Sequence, residues 1–285
     1  MVKHRYLILG ANGQLGKQFR KELAARGEDV IAPDEKDCDI TSFDTLARYV
    51  EMVSPTVIIN CAAYNAVELA EQQSDIANLI NGRAVENIAT LCGRHGIFVI
   101  HYSSDYVFDG KKGELYTERD APNPVNVYGR SKLAGEEAVQ KHAADFLLFR
   151  TSWVFGDGPQ NFIHKLLQWS QKNRVLKLSS DEVSVPTSAA DIVSATMASL
   201  EHGLRGLYHL TNTDYASRYE WGRYVARLLS LDNLIIPVPM STFATPVQRP
   251  AFTAMSNAQL QHHLGAPIRD WRSAVDRFFE EYPPR

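Results

Sequence analysis

Three features of the sequence predict an α/β fold built on a doubly wound, mostly parallel sheet. Short apolar runs alternate with longer amphipathic stretches through the first half, a glycine-rich turn directly follows the first run, and the apolar runs show little polar alternation. The runs lie at 5–9, 30–32, 56–60, 97–102 and 146–151, and their near-continuous hydrophobicity is that of strands buried on both faces. Between them, helical spacing of apolar residues covers 16–26, 41–53, 76–95 and 131–142. A right-handed crossover for each unit places the helices on both sides of the sheet.

The second half is less regular. Further sheet strands are expected at 175–178 and 207–211, and helices at 188–201 and 218–229. The stretch 235–252 carries Pro237, Pro239, Pro246 and Pro250 and is expected to be extended or looped. The expected organisation is a core at 1–152, to which 171–214 add strands and helices. A smaller, discontinuous region at 153–170 and 215–285 would close over the carboxyl ends of the strands, where open sheets bind ligands.

Composition narrows the function. The 285 residues are 45% hydrophobic and 22% charged with a formal net charge of -3, as in ordinary globular proteins. No basic block or acidic tail is present, so neither nucleic acid nor a membrane surface is an expected partner. Cys38, Cys61 and Cys92 are scattered and unpaired in spacing, which suits a reducing cytoplasm and gives neither a disulfide framework nor a zinc site. The apolar run at 6–9 is too short for a signal-peptide core or a membrane span. His262 and His263 have no metal spacing, and the aromatic stretch 271–279 has the helical spacing of a packed face.

The turn Gly10-Ala11-Asn12-Gly13-Gln14-Leu15-Gly16 links the first strand to the first helix. Glycines at its first and fourth positions permit a tight turn and close backbone approach to a pyrophosphate, which the helix N-terminus then faces. Gly16 lets the helix pack near the strand. This placement makes the sheet a Rossmann-type dinucleotide-binding fold, although the spacing is G-x-x-G-x-x-G. Asp34 follows the second strand where an acid can accept from a ribose 2′-hydroxyl, while Lys36 could instead meet a 2′-phosphate. The cofactor is therefore left as NADH or NADPH.

Tyr128 and Lys132 stand four residues apart and share one face if the segment is helical. A neighbouring ammonium favours tyrosinate and would bring the phenol toward a useful range. Lys132 can also hold the nicotinamide ribose. Ser103 and Ser104 end the fourth strand, at the crevice, where a serine hydroxyl can donate to a substrate carbonyl.

These residues resemble the extended short-chain dehydrogenase/reductases, and within them the dTDP-4-dehydrorhamnose reductase family. The matching stretches are GANGQLG (10–16), DIT (39–41), INCAAYNAVELAE (59–71), HYSSDYVFDG (101–110), NVYGRSKLAGEE (126–137) and RTSWVFG (150–156). Asn161-Phe162, Pro186-Thr187 and Arg249-Pro250 carry the match almost to the C-terminus. The resemblance implies a catalytic Ser104, Tyr128 and Lys132. It implies a cofactor lined by Gly10, Asn12, Gly13, Gln14, Leu15, Gly16, Asp39, Ile40, Ala62, Ala63 and Tyr64, together with Tyr128 and Lys132. It also implies a sugar faced by Ser104, Asp105, Tyr106, Trp153, Asn161 and Arg249.

The implied reaction is reduction by NAD(P)H of the C4 keto group of a nucleotide-linked 4-keto-6-deoxy sugar, with Tyr128 as proton donor. Asn65, Glu68 and Leu69 replace the family's Thr, Asp and Lys, and Glu182 replaces a glutamine, so the sugar or nucleotide can differ. Gln18 stands where some members place a glutamate that helps bind magnesium between subunits, so no metal and a monomer or weak homodimer are expected. Dehydratases of the superfamily carry an Asp-Glu pair where this chain has Asp105-Tyr106, which favours simple reduction. A non-catalytic cofactor-binding module, like the regulatory subunit of methionine adenosyltransferase, is the alternative from another class.

Overall fold

The computed structural model describes residues 4–283. Six parallel strands form the central sheet. They are β1 (Arg5–Leu9), β2 (Asp29–Ile31), β3 (Val57–Asn60), β4 (Phe98–Ser104), β5 (Phe146–Thr151) and the strand Gly206–His209. Their spatial order is β2-β1-β3-β4-β5 followed by Gly206–His209. The order reverses between β1 and β3, and such a switch point opens a crevice at the strands' carboxyl ends. The doubly wound parallel fold is the one expected.

The strands are apolar on both faces because both are covered. Tyr6, Ile8, Ile59, Ile100 and Phe149 pack on one side with Phe19 of α1 (Gln14–Ala25) and Ile192 of the helix Ala189–Glu201. Leu7, Leu9, Ile58 and Val99 pack on the other, against the helices Phe43–Val53 and Ala84–His95. The helix Val127–His142 is capped by Asn126, whose side chain accepts from the Gly129 N–H.

The second half departs from expectation at one strand. Val175–Ser179 does not join the central sheet; it pairs in parallel with Leu234–Val238. That partner lies in the proline-rich stretch expected to be looped. Pro237 is tolerated there, because a strand of a two-stranded sheet has a free edge that needs no N–H. A separate aromatic cluster of Phe155, Trp221 and Trp271, with Phe278 against it, packs this part of the chain. The aromatic stretch 271–279 is thus packing, as its spacing indicated.

The expected helix over 76–95 is interrupted. Between Ser74–Asn78 and Ala84–His95, a single turn at Leu79–Arg83 has π-helical bonding. This insertion places Asn81 beneath the site.

Candidate active site

β1 ends at the glycine turn, and Gly10 has φ +72°, a conformation that disfavours side chains. A Cβ there would lie 2.5 Å from the Ala62 nitrogen, so the loop leaving β3 rests directly on the turn. A Cβ on Gly16 would meet the Gly10 carbonyl at 2.4 Å, which explains why α1 begins so close to β1. Gly13 caps α1 without a side chain, leaving the first N–H groups of the helix uncapped by protein.

One cleft of about 580 Å³ joins this turn to the ends of β3, β4 and β5. Of the residues expected at the cofactor, Gly10, Asn12, Gly13, Gln14, Leu15, Asp39, Ile40, Ala62, Ala63, Tyr128 and Lys132 line it. Gly16 and Tyr64 do not. Gly16 is buried behind the turn, and Tyr64 is drawn away because its N–H and carbonyl both bond the Asn81 amide, at 2.8 and 3.0 Å. A glycine turn, an uncapped helix N-terminus and a buried ammonium in one cleft fit a nicotinamide dinucleotide.

Ser104, Tyr128 and Lys132 meet at the far end of the same cleft. Tyr128 and Lys132 share the buried face of the helix Val127–His142, and Ser104 ends β4. The Tyr128 hydroxyl donates to Asn65 Oδ1 at 3.3 Å, and the Lys132 ammonium donates to the Tyr102 carbonyl at 2.6 Å. Burial pushes the Tyr128 phenol up to about 12; the Ser104 hydroxyl opposes that shift and Asp105 adds to it. Burial also brings Lys132 down to about 8, with Glu136 opposing. The expected lowering of Tyr128 by Lys132 is therefore not seen. The ammonium is tied to a main-chain carbonyl, and burial dominates both groups. With its phenol held at about 12, Tyr128 keeps its proton across the physiological range.

The side chains expected at the sugar divide into two groups. Ser104 and Trp153 line the cleft, whereas Asp105, Tyr106, Asn161 and Arg249 stand behind or beside it. Asp105 is buried and accepts from the hydroxyls of Ser104 (3.0 Å), Ser184 (2.7 Å) and Thr253 (2.5 Å). It orients Ser104. Asn161 is also occupied by the protein: it caps the helix Phe162–Lys172 and donates to the carbonyls of Gly156 and Gly158 and to Gln14 Oε1. Its polar atoms steady Gln14 at the glycine turn.

Tyr106 sits edge-on to Tyr128 at 5.6 Å and accepts from Arg249 Nη1 at 2.8 Å. Arg249 also pairs with Glu182 and Glu68. Glu182, only 6% exposed, faces a second cation, Arg218, at 3.7 Å. The Arg218 guanidinium lies 3.5 Å from the centre of the Trp153 ring, which stacks on Trp221. Trp153 has φ +41°, a strained value for a bulky side chain that costs about 1–3 kcal/mol. The stacked arginine and indole hold it in place, so Glu182 joins the supports of Tyr106 and Trp153.

Several of these residues were not assigned from sequence. Asn65 and Glu182 were noted only as departures from a family pattern, and Arg218 had no signal. Asn60 orders the loop after β3 by accepting from the Ala62 N–H at 3.1 Å while its amide bonds His101 Nδ1. Asn81 ties that loop to the helix Val127–His142, donating to Ser131 Oγ, which in turn donates to the Tyr128 carbonyl. Their role depends on contacts across the fold, which no local spacing encodes.

The chain matches the family model described as the RmlD substrate binding domain over residues 4–283. It is 37% identical to a dTDP-4-dehydrorhamnose reductase of Burkholderia thailandensis, covering 95% of this chain and 96% of that protein. It is 34% identical to a dTDP-4-keto-6-deoxy-D-glucose reductase of Streptomyces niveus, with 96% of each covered. Among solved structures, a dTDP-4-dehydrorhamnose reductase from Bacillus anthracis in complex with NADP superposes with a TM-score of 0.94. Its sequence identity is 32%, over 98% of this chain and all of that one. By model, sequence and structure together, the chain belongs to the dTDP-4-dehydrorhamnose reductase family.

Proposed function

We propose that the protein reduces the C4 keto group of a nucleotide-linked 4-keto-6-deoxy sugar with NAD(P)H, converting dTDP-4-dehydrorhamnose to dTDP-L-rhamnose. The observation that carries this reading is that Ser104, Tyr128 and Lys132 open into the cleft built by the glycine turn. When bound there, the reduced nicotinamide supplies the hydride to the keto carbon. Ser104 donates to the keto oxygen, and Asp105, by accepting from that hydroxyl, can hand the bond over to the substrate. Tyr128, neutral and buried, gives its proton to the oxygen as negative charge develops. Lys132, its ammonium held by the Tyr102 carbonyl, keeps a positive charge in the cleft, where it can hold the nicotinamide ribose.

The Streptomyces niveus relative is named for a different keto sugar, and Glu182 and Arg218 stand behind the residues assigned to the sugar. This favours, as second reading, the same chemistry on another nucleotide 4-keto sugar. The test is consumption of NADH and NADPH across a panel of dTDP-, UDP- and GDP-linked 4-keto-6-deoxy sugars, with the product stereochemistry read by NMR. Turnover of dTDP-4-dehydrorhamnose to dTDP-L-rhamnose at the highest kcat/KM is expected. A higher kcat/KM for another member supports the second reading, and no turnover of any member rejects reduction.

A further inference from the structure

We propose that Asn65 recognises the hydroxyl on C3 of the sugar, next to the carbon that is reduced, an assignment that rests on the proposed reduction at C4. Asn65 lies in the loop between β3 and the short helix Val67–Ala70, and it lines the cleft together with Ser104 and Tyr128. Its main chain is fixed from both sides. The Asn81 amide holds the N–H and carbonyl of Tyr64, and the Asn65 carbonyl accepts from the Val67 N–H at 3.1 Å. The side-chain Oδ1 accepts from the Tyr128 hydroxyl at 3.3 Å. That hydroxyl is the only partner of the side chain among the described residues, so both Nδ2 donors remain for a ligand.

The chemistry places the sugar relative to this pair. The Tyr128 hydroxyl has one proton, and Asn65 Oδ1 holds it. For reduction that proton must turn to the oxygen on C4, which then sits about 2.5–3.0 Å from the phenol oxygen. The carboxamide that touched the phenol then faces the carbons bonded to C4. In a 4-keto-6-deoxy sugar these carry a hydroxyl, at C3, and a methyl, at C5. A carboxamide makes no hydrogen bond with a methyl, whereas a hydroxyl can donate to Oδ1 and accept from Nδ2.

This exchange of partners gives the discrimination. As Tyr128 turns to the keto oxygen, Oδ1 loses its donor, and the C3 hydroxyl replaces it. A sugar without that hydroxyl leaves Oδ1 unpaired in a cleft the sugar has filled, a loss of about 10- to 100-fold in kcat/KM. Asn65 is exposed, so the loss stays well short of the roughly 10⁴–10⁵ of deeply buried polar pockets.

The test is steady-state kinetics of the full chain on dTDP-4-dehydrorhamnose and on its 3-deoxy counterpart, with reduced nicotinamide saturating. The unaltered protein should favour the parent sugar by about 10- to 100-fold in kcat/KM. In Asn65→Ala the ratio should fall to within about threefold, chiefly because the parent sugar is used less well. Loss of the Tyr128 contact acts on both sugars alike, so the ratio isolates the contact to C3. Equal kcat/KM for the two sugars in the unaltered protein overturns the proposal, as does a preference that persists in Asn65→Ala. Turnover of neither sugar overturns the proposed reduction and this assignment with it, whereas turnover of the parent without discrimination overturns the assignment alone.

Discussion

Gly10→Ala is predicted to be among the most damaging single-atom additions in the chain, and a matched control isolates the cause. Gly10 and Gly96 both have positive φ, at +72° and +65°, so both replacements incur the left-handed penalty of about 1 kcal/mol. At Gly96 nothing lies within 4 Å of the added carbon. At Gly10 the carbon would sit 2.5 Å from the Ala62 nitrogen, 2.7 Å from its Cα and 2.8 Å from the Cys61 carbonyl carbon. All three are backbone atoms, so no side chain can rotate away and the turn or the loop after β3 must move. Overpacking of this kind adds about 3 kcal/mol. Thermal denaturation should show a loss of about 2–4 °C for Gly96→Ala and about 8–16 °C for Gly10→Ala. Titration with NADH should show weakened binding in Gly10→Ala alone, because only that loop lines the cleft. Equal melting temperatures, or unchanged NADH affinity in Gly10→Ala, would refute the close approach of the two loops.

Three further outcomes are expected. In the reductive direction kcat/KM should fall as pH rises through about 8, because Lys132 loses its charge there while Tyr128, at about 12, keeps its proton. A profile flat to pH 9 would show that the charge of Lys132 is not used. Glu182→Ala should leave Arg218 and Arg249 without their shared carboxylate, raise KM for the sugar nucleotide more than it lowers kcat, and lose about 3 kcal/mol in urea denaturation. An unchanged KM would remove Glu182 from the sugar site. Glu136 and Arg150 form a buried pair at 2.7 Å, so Glu136→Gln should cost about 3–5 kcal/mol. Replacing both by Met should restore much of that stability, and no restoration would mean the pair is favourable in itself.

The parts of the fold legible in the sequence were those with local causes. β1 and β5 fall where continuous apolar runs placed them, and the glycine turn announced the crevice. Tyr128 and Lys132 share a helix face as their spacing required, and Ser104 ends its strand. Less legible were features made by partners distant in sequence. Leu234–Val238 reads as a proline-rich loop until Val175–Ser179 lies beside it. Asn81 is one polar residue in a helical pattern, and only the π-helical turn aims it at both Tyr64 and Ser131. The electrostatics of Tyr128 misled for a similar reason: the spacing brings Lys132 onto the same face, but the Tyr102 carbonyl holds its ammonium and burial sets both groups.

The central claim is that Tyr128 supplies the proton for carbonyl reduction, and Tyr128→Phe tests it most directly. The measurement is nicotinamide oxidation on addition of dTDP-4-dehydrorhamnose, alongside cofactor affinity measured by titration. Removing one hydroxyl leaves the ring packed against Tyr106, so cofactor binding should stay within about twofold while kcat falls by about 10²–10⁴. Turnover at the unaltered rate by Tyr128→Phe would contradict the account.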